Sequence, residues 1–137
     1  MFEIMRTAQM IHRIRVHITC AWAVDALRRA QAREQAAFGE TCPQYLLLDE
    51  RVYESEDFDT AAGYVLSPPL RERGNQDALW TALTAGTIQT VGTDHCPFTR
   101  EQKARGRDDF TLIPNGLPGV ETRVRTFRAS LRRNRSL

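Results

Sequence analysis

Two residues combine a reactive side chain with a place in the chain where chemistry is commonly done: His17 and Asp94. An imidazole and a carboxylate brought from different strands can share a divalent cation. The carboxylate can also accept a proton from water activated by that cation. A single histidine at a strand end is more often a hydrogen-bonded structural group, and spacing alone favours that reading over the metal one. His95 adjoins Asp94, but neighbouring strand residues face opposite ways, so it is the poorer candidate ligand. His12 lies in a polar context and reads as exposed. A backbone candidate joins these side chains, the stretch Ile113-Pro114-Asn115-Gly116-Leu117-Pro118-Gly119. A rigid loop rich in Gly and Pro can bring N–H and C=O groups close to a flat ligand, or it can simply turn the chain into the next helix.

These candidates depend on the elements that carry them. From Arg13 to Ile18 the pattern has period two, with Ile14, Val16 and Ile18 on one face and Arg13, Arg15 and His17 on the other. That predicts a strand delivering His17 at its end. Thr19 is expected to cap a helix running to about Gln35, with Val24, Leu27 and Ala30 as its apolar stripe. A second strand is predicted from about Ala37 to Thr41, stopping at Pro43. A long excursion follows through Tyr45–Leu48, the acidic stretch Glu54–Asp59 and Tyr64–Leu66. The pair Pro68-Pro69 is then expected to hold the backbone extended. A helix from about Gln76 to Ala85, capped by Asn75 and ended by Gly86, precedes a third strand, Ile88–Thr93, which delivers Asp94. Strand alternating with helix predicts an α/β fold with parallel pairing, where active groups gather at the C-terminal strand ends. Ile4, Met5, Ala8 and Ile11 add a helical spacing at the start of the chain.

The 137 residues suffice for one domain's core, and 42% hydrophobic with 26% charged residues favours a globular chain over a disordered or membrane one. Apolar runs fall far short of the roughly 20 residues that span a bilayer. No basic opening followed by an apolar run reads as a secretory leader. Cys20, Cys42 and Cys96 are odd in number and widely spaced, which predicts reduced thiols and a cytoplasmic setting. The net charge of +2 is mild. Arginines crowd the last stretch from Arg123 to Arg135, with only Phe127 to stack, so a solvated basic tail is expected and a nucleic-acid partner is not.

In combination, five segments carry a resemblance. They are Val16-His17-Ile18-Thr19-Cys20, the run from Gly39 to Glu50 that contains Glu40-Thr41-Cys42-Pro43-Gln44-Tyr45, and Ser67-Pro68-Pro69-Leu70-Arg71. The others are Gln89 to Phe98, containing Thr93-Asp94-His95-Cys96-Pro97, and Gly106 to Glu121. In order and spacing they resemble the dihydropyrimidinase and D-hydantoinase family of the amidohydrolase superfamily, from about Arg13 to Arg123. Single pieces are shared with dihydroorotases and allantoinases, whereas the stretch from Gly106 to Glu121 is particular to the hydantoinase branch.

The resemblance implies a (β/α)8 TIM barrel, a hydrolase with a binuclear metal centre, usually zinc. By this matching His17 is the metal-binding histidine ending the sixth strand. Asp94 is the carboxylate ending the eighth, both metal ligand and general base. Ser67 and Asn115 match positions whose main-chain groups hold the ring of a cyclic amide or imide such as a dihydropyrimidine or hydantoin. The implied chemistry is coherent: two cations lower the pKa of water, hydroxide attacks the ring carbonyl, and the carboxylate passes the proton to the leaving nitrogen. The implied partners are a small-molecule substrate and, in the full-length family, further copies of the chain, with no membrane. Residues 1–125 would be a partial barrel, strands six to eight, and residues 126–137 a basic tail.

The family's His-x-His, its strand-four carboxylated lysine, its strand-five histidine and its carbonyl-polarising tyrosine have no counterparts here, and Lys103 matches none of them. A whole barrel takes about 250 residues. The chain is therefore expected to be a fragment that binds zinc weakly and is inactive alone. Arg13 and Arg15 share His17's strand face where the family places uncharged residues, and an unpaired guanidinium there would be costly. The helix opening Ala21-Trp22 lacks the acidic residues that suit a helix N-terminus. A non-catalytic structural or assembly relative is the alternative reading. A basic nucleic-acid binder, a third, rests on the arginine tail alone.

Overall fold

A computed structural model of the chain describes residues 13–15, 17–121 and 123–124. The helical spacing at Ile4–Ile11, the exposure expected of His12, the strand position of Val16, the side chains of Arg13 and Arg15 and the tail from Thr126 lie outside the described residues.

Three short strands form a parallel sheet in the order β1 (Arg13–Arg15), β2 (Ala37–Thr41), β3 (Thr90–Val91). Arg13 pairs with Ala37 and Arg15 with Gly39, while Glu40 pairs with Thr90 and Thr41 with Val91. The α/β reading with parallel pairing holds. Strand β3 is shorter than the predicted Ile88–Thr93, and β2 ends at Thr41, just before Pro43 opens a helix. Single main-chain bonds prolong the ladder past the strand ends. Ile18 N–H donates to Glu40 O at 2.7 Å, Gln89 N–H to Gly39 O at 3.1 Å and Gly92 N–H to Thr41 O at 2.9 Å.

Helix α1 (Ala21–Ala32) joins β1 to β2 and buries Val24 and Leu27. It lies so close to the sheet that a Cβ on Gly39 would run into the Leu27 side chain. Helix α2 (Pro43–Leu47) replaces the irregular segment expected there, because Pro43 at its first position comes with φ already set for a helix. Within the acidic stretch, Asp57 accepts from Thr60 N–H and caps α3 (Phe58–Gly63), so those carboxylates organise a helix. The Ser67–Pro68 peptide is cis, which corrects the simple extended form expected of the proline pair. Helix α4 (Asn75–Thr84) packs against α1 and leads to β3.

Two capping expectations are corrected. Thr19 is buried, and its hydroxyl accepts from Arg71 Nε at 3.2 Å rather than from α1. The α1 end is served instead by Asn75, whose Oδ1 accepts the Ala21 N–H at 2.9 Å. Asn75 is itself the first residue of α4, preceded by Gly74 in a left-handed conformation (φ 104°). One amide side chain thus ties the starts of both helices together. Val24, Cys42, Leu79, Ala82 and Ile88 are the best-buried residues of the hydrophobic core, with polar Thr41 buried beside them. The sheet rests on this core with its C-terminal strand ends facing one side, and His17, Cys42 and Asp94 follow from those ends.

Candidate metal and substrate site

His17 and Asp94, far apart in sequence, meet at the strand ends. His17 Nε2 lies 3.7 Å from Asp94 Oδ1. Both are partly shielded, with side chains 19% and 35% exposed, so water reaches the pair while the surroundings strengthen its electrostatics. Asp94 takes a left-handed backbone conformation (φ 46°), uncommon for a residue with a Cβ and most tolerated by Asp and Asn.

The other imidazole nitrogen has separate company. Nδ1 lies 3.2 Å from Cys42 Sγ and 3.4 Å from Glu40 Oε1. Glu40 also receives the Thr90 hydroxyl at 3.3 Å and fills the space beside Gly92, where a Cβ would come within 2.8 Å of its carboxyl group. Burial first, then the negative Asp94 and Glu40, push the Cys42 thiol up to about 12. It is therefore a protonated thiol, with no thiolate nucleophile at neutral pH. Tyr45 stacks at a tilt, its ring centre 6.5 Å from that of His17. Its hydroxyl donates to Pro68 O at 2.9 Å, and burial pushes its pKa well up, with Cys42 and Asp94 adding to the effect.

Sequence reasoning missed Glu40, Cys42 and Tyr45. The signal for Glu40 was its alternation with buried Gly39 and Thr41 at the end of a parallel strand, which puts a carboxylate on the same side of the sheet as Phe38. Cys42 and Tyr45 gave no comparable signal, since one reads as core and the other as a loop aromatic.

The ring-holding candidates form a second edge of the same site. Gly116 N–H donates to Val65 O at 3.0 Å, so the loops carrying Asn115 and Ser67 are joined two residues or fewer from each. Cys96 N–H donates to Leu117 O at 3.0 Å, and the Gly119 and Val120 N–H groups both reach His95 Nδ1, at 3.0 and 3.3 Å. The loop read as either a ligand cradle or a turn is thus packed along the segment that follows β3. His95 is engaged with this loop through Nδ1. Ser67 and Asn115 are exposed, and among the described residues their main-chain groups make no hydrogen bonds.

The donor set suits a divalent cation. Ligand bonds of roughly 2.0–2.2 Å to nitrogen and oxygen allow two donors of one ion to stand at most about 4.2 Å apart, and 3.7 Å is within that reach. Glu40 and Cys42 lie on the Nδ1 side of the ring and Asp94 on the Nε2 side, so the four do not converge on one point. Among the described residues no group of three or more His, Cys, Asp or Glu is placed to hold a metal ion. No described helix is long and apolar enough to cross a membrane.

No protein-family model matches the chain. The D-hydantoinase of Geobacillus stearothermophilus is 50% identical over 110 residues, which is 80% of this chain and 23% of that protein. The D-phenylhydantoinase of Escherichia coli O1:K1 / APEC is 47% identical over 116 residues, 84% of this chain and 24% of its own length. The crystal structure of dihydropyrimidinase from Brevibacillus agri NCHU1002 matches with a TM-score of 0.76 at 53% identity, covering 80% of this chain and 23% of that one. The chain belongs to the hydantoinase–dihydropyrimidinase family. It spans about a quarter of the length of the curated relatives it matches. A dihydroorotase from Saccharomyces cerevisiae has a TM-score of 0.77 at 13% identity, a likeness of fold alone. The hydantoinase relatives are amidohydrolase TIM barrels, generally metal-dependent, and the α/β structure here matches a piece of that architecture.

Proposed function

We propose that this chain supplies the proton-accepting and ring-holding part of a hydantoinase-type hydrolase that opens the C–N bond of a cyclic amide or imide. The observation that carries the proposal is the meeting of His17 Nε2 and Asp94 Oδ1, 3.7 Å apart, beside an edge where the main-chain groups of exposed Ser67 and Asn115 make no hydrogen bond among the described residues. The activities named for the relatives, on hydantoins and dihydropyrimidines, point the same way. In the finer reading residues 1–125 correspond to strands six to eight of the barrel and their helices, and residues 126–137 to a basic tail. The free thiols Cys20, Cys42 and Cys96 fit a cytoplasmic setting.

His17 and Asp94 would hold the cation, which the family resemblance makes zinc. When bound, such an ion lowers the pKa of water and takes up charge developing on a carbonyl oxygen. The chain's own groups do the rest. Asp94 accepts the proton that water gives up as it attacks, then passes that proton to the ring nitrogen as the C–N bond breaks. Main-chain N–H and C=O groups at Ser67 and Asn115 hold the imide edge, whose alternating donors and acceptors complement a peptide backbone. Two ligands leave a zinc shell incomplete, since such sites normally take three protein ligands or more. The 137 residues alone are therefore expected to bind zinc weakly and not to turn over.

The test is reconstitution. The purified chain is mixed with the part of the Geobacillus D-hydantoinase that precedes the matched stretch, and ring opening of hydantoin and dihydrouracil is followed with zinc present. Activity in the mixture, absent from either piece and abolished by Asp94→Asn, is the expected result. Zinc-dependent turnover by the chain alone, surviving in the wild type and lost in Asp94→Asn, would refute the incomplete-site reading. A mixture that folds together and remains inactive would favour the non-catalytic relative.

A further inference from the structure

Lys103 is the chain's single lysine, and its side chain is almost entirely buried, 5% exposed. It closes a short helix, α5 (Arg100–Lys103), which opens with a capping box formed by Thr99 and Gln102. Among the described residues no carboxylate pairs with it. Its Nζ instead donates to Val65 O at 2.6 Å and lies 5.9 Å from the centre of the Phe98 ring. An ammonium buried without an anionic partner is costly, and an apolar side chain of the same length would fill this space more cheaply. The geometry shows what the ammonium adds. Val65 O accepts two hydrogen bonds, one from Lys103 and one from Gly116 N–H at 3.0 Å.

That carbonyl stands two residues before Ser67, and Gly116 directly follows Asn115. Pro68 O, on the other side of Ser67, is held by the Tyr45 hydroxyl at 2.9 Å. The Asn115 loop is confined as well, since Gly116 lies against the Cys96 carbonyl so closely that it leaves no room for a Cβ. We infer that Lys103 is a positioning residue: its ammonium fixes Val65 O and so sets the spacing between the main-chain groups at Ser67 and Asn115 that hold the substrate ring. This rests on the ring-holding reading proposed above. A charge-assisted bond is suited to the task, being roughly twice as strong as a neutral one and shorter.

Three measurements test it without depending on one another's success. Because only one lysine is present, selective labelling of Nζ gives a single side-chain signal. The proposal requires this signal to be protected from solvent in the wild-type chain, and a freely exchanging ammonium overturns it. Next, Lys103→Met keeps the length and removes the charge. Amide exchange at Gly116 should then rise about tenfold, the effect of losing one strong hydrogen bond, while Gly92 and Ile88 stay unchanged and Lys103→Arg restores protection. Unaltered Gly116 exchange in Lys103→Met, or an equal rise at all three amides, contradicts the clamp whatever the chain's activity. In the reconstituted enzyme Lys103→Met should raise KM for dihydrouracil severalfold with zinc content unchanged. A loosened Gly116 with KM unaltered overturns the positioning role and leaves the His17–Asp94 pair untouched.

Discussion

His17 presents its two ring nitrogens to different groups, and that division organises the local chemistry. Nε2 faces Asp94, whereas Nδ1 faces the Cys42 thiol and the Glu40 carboxylate. A metal-binding histidine needs one nitrogen engaged so that the other is oriented, and the sequence alone could not show which groups would do so. His17 and Asp94 were legible because each follows a segment that reads as a strand, the first by its period-two pattern and the second by its place after a helix ended by Gly86. Glu40 and Cys42 were not, because their importance lies in contacts across strands. The thiol yields a prediction. With its pKa raised from 9.0 to about 12, Cys42 holds its proton more tightly in the folded chain than in the unfolded one. Its contribution to stability is therefore intact below pH 9 and is lost as pH rises from 9 towards 12. Denaturant midpoints measured from pH 8 to 10.5 should fall more steeply in the wild type than in Cys42→Ser. Parallel slopes would contradict the shift. Alkylation at pH 8 should modify exposed Cys96 first and reach buried Cys20 and Cys42 only on unfolding.

At the scale of elements, the βαβ order was legible and the caps were not. Thr19 and Asn75 both have the residue type of an N-cap, yet neither caps the helix that follows it. The true partner of the α1 N-terminus stands 54 residues away in sequence, a distance that no local pattern encodes. Replacing Asn75 with Ala removes that acceptor and should lower stability by about 1 kcal/mol, read from the denaturant midpoint. Thr19→Ala should leave α1 helicity unchanged, because its hydroxyl serves Arg71. At Gly39 the approach of Leu27 leaves no space, so Gly39→Ala is expected to cost about 1–3 kcal/mol through overpacking. A variant as stable as the wild type would contradict the overpacking and show that the Leu27 side chain moves aside at little cost. The proline pair reads from sequence as simply extended. The structure differs because the Ser67–Pro68 peptide is cis, and an X–Pro sequence does not declare its isomer.

For the whole molecule, the parallel architecture was legible from the alternation of strand and helix, and the family from the five segments. Several large apolar side chains lie open, among them Trp22 at 73% and Phe110 at 79% exposure. Strand β1 also leaves one edge unpaired among the described residues. Such surfaces associate. Size-exclusion chromatography with light scattering should find the isolated chain in oligomers at high concentration, and Trp22→Glu should shift it towards monomer. A clean monomer with a cooperative melt would count against this. The central claim is that His17 and Asp94 hold one cation, and NMR titration with zinc reads it directly. The account predicts weak binding in which the His17 ring and Asp94 carboxylate signals shift together, with both responses lost in either His17→Ala or Asp94→Asn. Shifts at His17 without Asp94, or a tight site centred on His95 and Cys96, would contradict it.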